Sequence, residues 1–235
     1  MQVLQDRMLN EVLTERCRLA SRRGFLFGTA KLAGGGALAV AAAGVPLLPG
    51  LGVARAQSEF ANDADVLNYA LTLEHLEYAF YRDGLTRFTD ADFGESPFNR
   101  PISEFLTDIR DHELAHVEAL TATIESLGGE PVMEVQYDFG YTDVTSFLAT
   151  AQALENTGVS AYDGAGQFIS DPELLTVAGT IVAVEARHAA YLNLLNGVLP
   201  FPAPTETPLT PAEVLAIAGP FIVAEGAAAG ATPAA

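Results

Sequence analysis

Apolar residues recur every three to four positions in four long stretches of the chain, and loops containing Gly, Pro, Asn or Asp separate these stretches. The stretches predict helices over about 62–87, 101–128, 142–170 and 171–196. Helices of about 25 residues span roughly 37 Å at 1.5 Å per residue, the length of a long four-helix bundle. The connection between the second and third helices is the longest, as in bundles with one crossover connection. The pattern therefore predicts an all-α fold.

Four segments divide the chain. Residues 1–56 are predicted to be a signal peptide, and residues 57–201 are predicted to form the bundle. Residues 202–225 contain a Pro-rich linker and a short fifth helix, which begins at the capping box Thr210-Pro211-Ala212-Glu213. The Ala- and Gly-rich residues 226–235 are predicted to be a disordered tail.

The N-terminal segment has the features of an export signal. Its sequence Ser21-Arg22-Arg23-Gly24-Phe25-Leu26-Phe27 matches the twin-arginine pattern, and Ala54-Arg55-Ala56 matches a cleavage site that leaves Gln57 as the mature start. The alternative is an uncleaved membrane anchor, since 32–53 is free of charge, but Gly34-Gly35-Gly36 and two prolines disfavour a spanning helix. We therefore expect the twin-arginine translocase as a partner during export, a periplasmic or extracellular location, and no membrane association after cleavage.

Removal of the signal changes the composition. The mature part has no Cys, Lys or Trp, and it keeps 5 Arg against 27 acids (30 minus 3), so its formal charge is −22 where the whole chain has −18. This charge argues against nucleic acid and anionic lipid as partners. The excess of acids fits a salty habitat, a cation-binding role or simple solubility, and composition does not separate these. Twin-arginine substrates typically cross the membrane folded, which suggests that a metal could be loaded beforehand in the cytoplasm.

The second predicted helix contains the pentapeptide His112-Glu113-Leu114-Ala115-His116, which has the H-E-x-x-H spacing of zinc peptidases. At about 100° per residue, Glu113 lies in the middle of the apolar stripe and His116 lies about 60° away, still facing inward. His112 lies about 100° away, at the margin of the stripe. The periodicity therefore selects Glu113 and His116 as inward-facing residues and leaves His112 as the doubtful member.

The fourth predicted helix repeats this arrangement. Glu185 lies in its apolar stripe with His188 about 60° away, and no histidine precedes the glutamate at the equivalent position. The spacing between the two Glu-x-x-His motifs is 72 residues.

The first and third predicted helices each place a glutamate in the apolar stripe and a tyrosine seven residues later. These pairs are Glu74 with Tyr81 and Glu155 with Tyr162, at an offset of 81 residues. The second half of the bundle thus repeats the first, which predicts a pseudo-twofold axis.

Four carboxylates in one apolar core require positive charge, because burying a single unpaired charge costs several kcal/mol or more. Two divalent ions would offset four glutamates, and four Glu with two His is the ligand set of di-iron and di-manganese bundles. Oxygen-rich ligation with one imidazole per metal favours Fe or Mn over a structural Zn site, although Zn competes by affinity. Glu77, one turn after Glu74, is either an extra ligand or the edge of the solvated face.

These residues resemble the ferritin-like superfamily. The stretch Leu67-Asn68-x-x-Leu71-x-Leu73-Glu74, followed by Tyr81, is similar to the first helix of bacterioferritin-type proteins. Within the superfamily, LNYALTLEHLEYAFY, RDHELAHVEAL and the Thr210–Glu213 segment before Pro220-Phe221 resemble exported ferritin-like domain proteins related to desiccation-related proteins. The resemblance implies a ferritin-like four-helix bundle with one long crossover and a short fifth helix, and six metal ligands: Glu74, Glu113, His116, Glu155, Glu185 and His188.

The resemblance also implies that Tyr81 and Tyr162 donate hydrogen bonds that orient glutamates. The expected chemistry is a di-iron or di-manganese oxidoreductase acting on O₂ or peroxide, either ferroxidase-like or catalase-like. Activity transfers poorly within this superfamily, so two alternatives stay open: a non-catalytic structural or stress-protective protein, and a zinc peptidase that uses His112 and His116. The sequence leaves the assembly open between a monomer and a homo-oligomer, including a hollow storage shell.

Overall fold

A computed structural model describes residues 60–223, and within this range the chain forms six α-helices and no strands. The helices are α1 (Asp63–Gly84), α2 (Asp90–Phe93), α3 (Ile102–Ser126), α4 (Val144–Ala165), α5 (Pro172–Leu195) and α6 (Pro211–Ala218). The predicted all-α class is confirmed. The twin-arginine motif, the cleavage site and the C-terminal tail lie outside the described residues.

Side-chain caps fix the beginnings of three long helices where the sequence predicts them. The side chain of Asn62 accepts from the backbone N–H of Asp65 at the start of α1, and that of Asp143 accepts from Ser146 at the start of α4. Asp171 caps α5, with a proline at the first helical position.

Two local features differ from the prediction. The helix α4 ends at Ala165, where the sequence pattern predicted a helix to about 170, because the chain tightens there into a 3-10 turn over Gly166–Phe168. The four-residue helix α2 was not predicted, and Thr89 begins it by pairing with Asp92 in a capping box. Neither difference alters the four-helix architecture.

The four long helices pack as two pairs, α1 with α3 and α4 with α5, and α1 also contacts α4. Two apolar clusters fill the bundle. One contains an aromatic group in which Phe80 stacks on Phe147 with ring centroids 4.7 Å apart, and the other contains Leu71, Leu120 and Ile181. Along each long helix, one buried glutamate lies between residues of the first cluster and residues of the second: Glu74, Glu113, Glu155 and Glu185.

The C-terminal segment is fixed to the bundle by backbone hydrogen bonds. The N–H of Leu209 donates to Ser160 of α4 at 3.0 Å, and the N–H of Asp138, in the connection between α3 and α4, donates to Phe221 at 2.8 Å. Val214 and Ala218 of α6 are buried. None of the helices in residues 60–223 is long and apolar enough to cross a membrane.

Candidate metal centre

Six side chains from the four long helices meet at the centre of the bundle. All four carboxylates are fully buried, and the two imidazoles are nearly so. Their ligand atoms form two groups, and within each group the atoms lie within 4.8 Å of one another: Glu74, Glu113, His116 and Glu185 in one, and Glu113, Glu155, Glu185 and His188 in the other. Glu113 and Glu185 belong to both groups, so two ions bound here would share those two carboxylates.

The imidazole of His116 lies among three carboxylates. Its Nδ1 is 3.1 Å from Glu74 Oε2, 3.2 Å from Glu113 Oε2 and 3.0 Å from Glu185 Oε1. A single ring N–H cannot donate well to three acceptors in different directions. Convergence of one nitrogen and three carboxylate oxygens is the arrangement that a bound cation requires.

The imidazole of His188 occupies the corresponding place in the second group. Its Nδ1 lies 2.9 Å from Glu113 Oε1 and 3.2 Å from Glu155 Oε2, yet this nitrogen and both oxygens are without a properly aligned hydrogen bond. Both carboxylate oxygens of Glu185 are likewise buried without one. Buried polar atoms normally have partners, so these five atoms fit ligation of metal ions better than a network closed by protein hydrogen bonds alone.

The two tyrosines form crossed pairs with the glutamates. The hydroxyl of Tyr81 on α1 donates to Glu155 Oε1 on α4 at 2.6 Å, and the hydroxyl of Tyr162 on α4 donates to Glu74 Oε1 on α1. Each tyrosine thus occupies one oxygen of its glutamate and leaves the other oxygen facing the histidines. The sequence predicted tyrosine donors, but it did not show that each would bind the glutamate of the other helix.

The electrostatics of the cluster favour uptake of positive charge. Burial and the charge of Glu155 raise the pKa of Glu113 to about 7, and burial with the charge of Glu113 raises the pKa of Glu185 well above its usual range. Burial opposes the charging of His116, but Glu113, Glu185 and Glu74 together raise its pKa to about 12. Protons therefore neutralise part of this charge when no metal is bound, and divalent ions can replace them.

His112 lies outside both ligand groups. It is exposed, and its Nδ1 is 2.9 Å from Nε2 of His188, the ring nitrogen that points away from the carboxylates. Partial desolvation of the ring and the charges of His188 and His116 lower the pKa of His112. A zinc peptidase would need His112 and His116 on one ion, whereas here His112 contacts the outer face of the other histidine. The margin position predicted for His112 agrees with this placement.

Glu77 is a fifth buried carboxylate, only 3% exposed, and the sequence left its role open. Glu77 lies three residues after Glu74, so it is on nearly the same face of α1. At the edge of that face, the periodicity alone does not tell a buried residue from a solvent-exposed one.

The core of this helical bundle contains two overlapping groups of Glu and His. These features are typical of four-helix bundles that can bind metal ions. Residues 62–197 match the family model described as Ferritin-like domain. This match covers more than half of the 235 residues, so the chain belongs to the ferritin-like domain family, and the predicted resemblance to that superfamily is confirmed.

A curated relative supports the same assignment. The chain is similar to Protein rds1 of Schizosaccharomyces pombe, with 27% identity over 161 residues, which is 68% of this chain and 39% of the yeast protein. The chain thus matches less than half the length of that relative.

Proposed function

We propose that this protein is an exported di-metal oxidoreductase that binds two Fe or Mn ions and acts on O₂ or peroxide. The observation that carries the proposal is the pair of ligand groups that share Glu113 and Glu185. Each group offers one imidazole nitrogen and three carboxylates, a donor set that suits Fe or Mn. Export by the twin-arginine translocase to the periplasm or the cell exterior belongs to the proposal, because the predicted signal precedes the bundle.

Each residue has a defined part in this function. Glu74 and Glu155 would each bind one ion, Glu113 and Glu185 would bridge the two, and His116 and His188 would complete the set. When bound, the metal pair would supply reversible one-electron changes and a Lewis-acidic binding place for a small oxidant. The tyrosine hydroxyls hold Glu74 and Glu155 so that one oxygen of each stays directed at the histidines.

A small cavity of about 10 Å³ lies between α1 and α4, where Glu77, Thr157 and Gly158 line it. Such a volume holds about one water molecule.

Metal titration followed by an activity assay tests the proposal. We expect the apo protein to bind about two Fe(II) or Mn(II) ions and the loaded protein to consume O₂ or peroxide. Glu113→Ala should lower the metal content and abolish turnover, because it removes a ligand common to both groups. Glu118→Ala, an exposed position on the same helix, is the matched control and should behave as the wild type.

The outcome also separates the alternatives. Iron with O₂ turnover would define a ferroxidase-like protein, and manganese with peroxide turnover a catalase-like one. A protein that binds two ions but is inert towards both oxidants would be a metal-stabilised structural protein instead. A metal content that Glu113→Ala leaves unchanged would contradict the dinuclear centre itself.

A further inference from the structure

Glu77 is the buried acid that the six-ligand description does not use. It lies one helical turn after Glu74 on α1 and is 3% exposed. Burial, and then the negative charges of Glu185, Glu155, Glu113 and Glu74, raise its pKa well above the usual range. The largest influences on this pKa are burial and other carboxylates, so ions bound at the centre would supply positive charge that stabilises an ionised Glu77.

Gly158 of α4 leaves a gap between this carboxylate and the centre. A Cβ atom at position 158 would lie 2.9 Å from Glu77 Oε1 and 3.4 Å from Glu185 Oε2. The two oxygens therefore border the same small space, which any larger residue would fill. Glu185 Oε2 is buried and has no hydrogen-bond partner among the described residues.

We infer that Glu77 is a seventh ligand of the metal centre, which binds beside Glu185 through the gap over Gly158. The inference rests on the proposed function, because it assigns Glu77 to the same pair of ions. Glu185 is common to both ligand groups, so a carboxylate next to its free oxygen is placed at the shared edge of the centre.

The charges in the core give the inference a physical reason. Two divalent ions attract a fifth carboxylate beside them, although their four positive charges are already offset by Glu74, Glu113, Glu155 and Glu185. A fifth ionised carboxylate is stabilised when the ions carry more charge, as two trivalent ions do. Glu77 should therefore bind most strongly in the oxidised state of the centre.

The test is a titration of the apo protein with Mn(II), in which calorimetry and electron paramagnetic resonance detect metal binding. Neither measurement requires catalytic activity. Glu77→Gln keeps the size of the side chain and removes its charge, and we expect it to weaken binding of at least one ion by about tenfold or more. Gly158→Ala should produce a similar loss, because its methyl group would displace Glu77 from the gap. Glu118→Gln, exposed on α3, is the control and should bind like the wild type.

A second readout is the reduction potential of the iron-loaded protein. Loss of an anionic ligand destabilises the oxidised ions, so Glu77→Gln should raise the potential, and Glu118→Gln should leave it unchanged. Circular dichroism and thermal unfolding of each apo variant verify the fold before titration.

Different experimental results would contradict the role of Glu77 and the proposed function. If the wild type binds two ions, Glu113→Ala removes them, and Glu77→Gln keeps wild-type affinity and potential, then Glu77 is a protonated core acid and the inference is wrong. If the wild type binds no pair of ions, the proposed function fails first.

Discussion

Tyr81 and Tyr162 each donate to a glutamate on the neighbouring helix, and these contacts determine how the two carboxylates face the histidines. Tyr81 holds Glu155, and Tyr162 holds Glu74. A phenol O–H donates to one carboxylate oxygen, so each contact fixes the orientation of a glutamate that would bind metal. The pairs reduce the freedom of the carboxylates without adding charge to the core.

Removal of one phenol tests this role. Tyr81→Phe leaves Glu155 Oε1 buried without its donor, so we expect the free energy of unfolding to fall by about 1–3 kcal/mol and metal affinity to fall by about 10–100-fold. Urea denaturation and metal titration measure the two effects. Tyr191→Phe is the control, because the Tyr191 hydroxyl is buried and has no hydrogen-bond partner within residues 60–223, so its removal should cost little. Equal effects of the two substitutions would contradict a specific role for Tyr81.

His112 is expected to orient His188 rather than to bind a metal ion. Its Nδ1 lies 2.9 Å from Nε2 of His188, and the two rings are nearly parallel, with planes 9° apart. Partners of this kind set the tautomer of a metal-binding histidine. His112→Ala should therefore weaken binding of one ion by about 10–100-fold while the stoichiometry at saturation stays at two.

Metal analysis at saturating concentration distinguishes the two roles of His112. Partial recovery of affinity in His112→Asn, which keeps a hydrogen-bonding group, would support orientation. Loss of one bound ion in His112→Ala, together with loss of proteolytic activity, would favour the zinc-peptidase interpretation instead.

At the level of elements, α6 and the linker before it close one side of the bundle. The N–H of Leu209 donates to Ser160 on α4, and Ala218 of α6 borders the small cavity beside Glu77. The carbonyl of Leu209 lies directly against Gly164, so α4 and the linker approach more closely than a side chain would allow. The segment thus covers the side of α4 that bears Ser160 and Gly164.

Gly164→Ala tests this close approach. Its methyl group would overlap the backbone of Leu209, so we expect destabilisation of about 1–3 kcal/mol as the linker shifts outward. Gly179→Ala on α5 is the matched control: none of the described residues comes within 4 Å of its added methyl group, and a helical Gly→Ala change there should stabilise by about 0.5–1 kcal/mol. Thermal unfolding measures whether each substitution lowers or raises the stability. A stabilised Gly164→Ala protein would show that the linker does not need this contact.

On the scale of the molecule, one core combines two apolar clusters with a strongly acidic centre. Five buried glutamates and two buried histidines share this core with the clusters. The apolar clusters favour the folded state, whereas the repulsion between carboxylates opposes it until protons or cations neutralise them. Stability of the fold and occupancy of the centre are therefore linked.

This linkage predicts opposite pH responses of the apo and metal-loaded forms. The pKa of Glu113 is raised from 4.5 to about 7 in the folded protein, so the folded state binds more protons, and the apo form loses stability as the pH rises from about 4.5 to 7. The raised pKa values of His116 and His188, about 12 and about 11 against 6.5, extend this loss above pH 6.5.

Thermal unfolding between pH 5 and 8 tests the linkage. We expect the midpoint of the apo protein to fall across this range, and that of the metal-loaded protein to rise, because metal binding requires deprotonated ligands. A rising midpoint in the apo protein would contradict the raised pKa values. A Glu113→Gln protein should show a weaker dependence between pH 5 and 7, since it lacks the group with the pKa near 7.

The sequence by itself determined the helices and the side chains that face inward. The 3.6-residue period fixes the angular position of each residue about its own helix axis, so the order of residues alone assigns Glu113 and His116 to the apolar face. The family resemblance identified four helices as one bundle, and the family match confirmed it. The short helix α2 and the early end of α4 escaped prediction because local capping and a 3-10 turn decide them.

Only the tertiary structure decided how residues of different helices pair. The helical period does not determine how far one helix is shifted along its axis, or rotated, relative to its neighbour. The packing of side chains between the helices sets both quantities. The crossed contacts of Tyr81 and Tyr162, the contact between His112 and His188, and the burial of Glu77 over Gly158 all depend on that stagger. The sequence therefore supplied the donors of the centre, and the packing of four helices determined which donors share an ion.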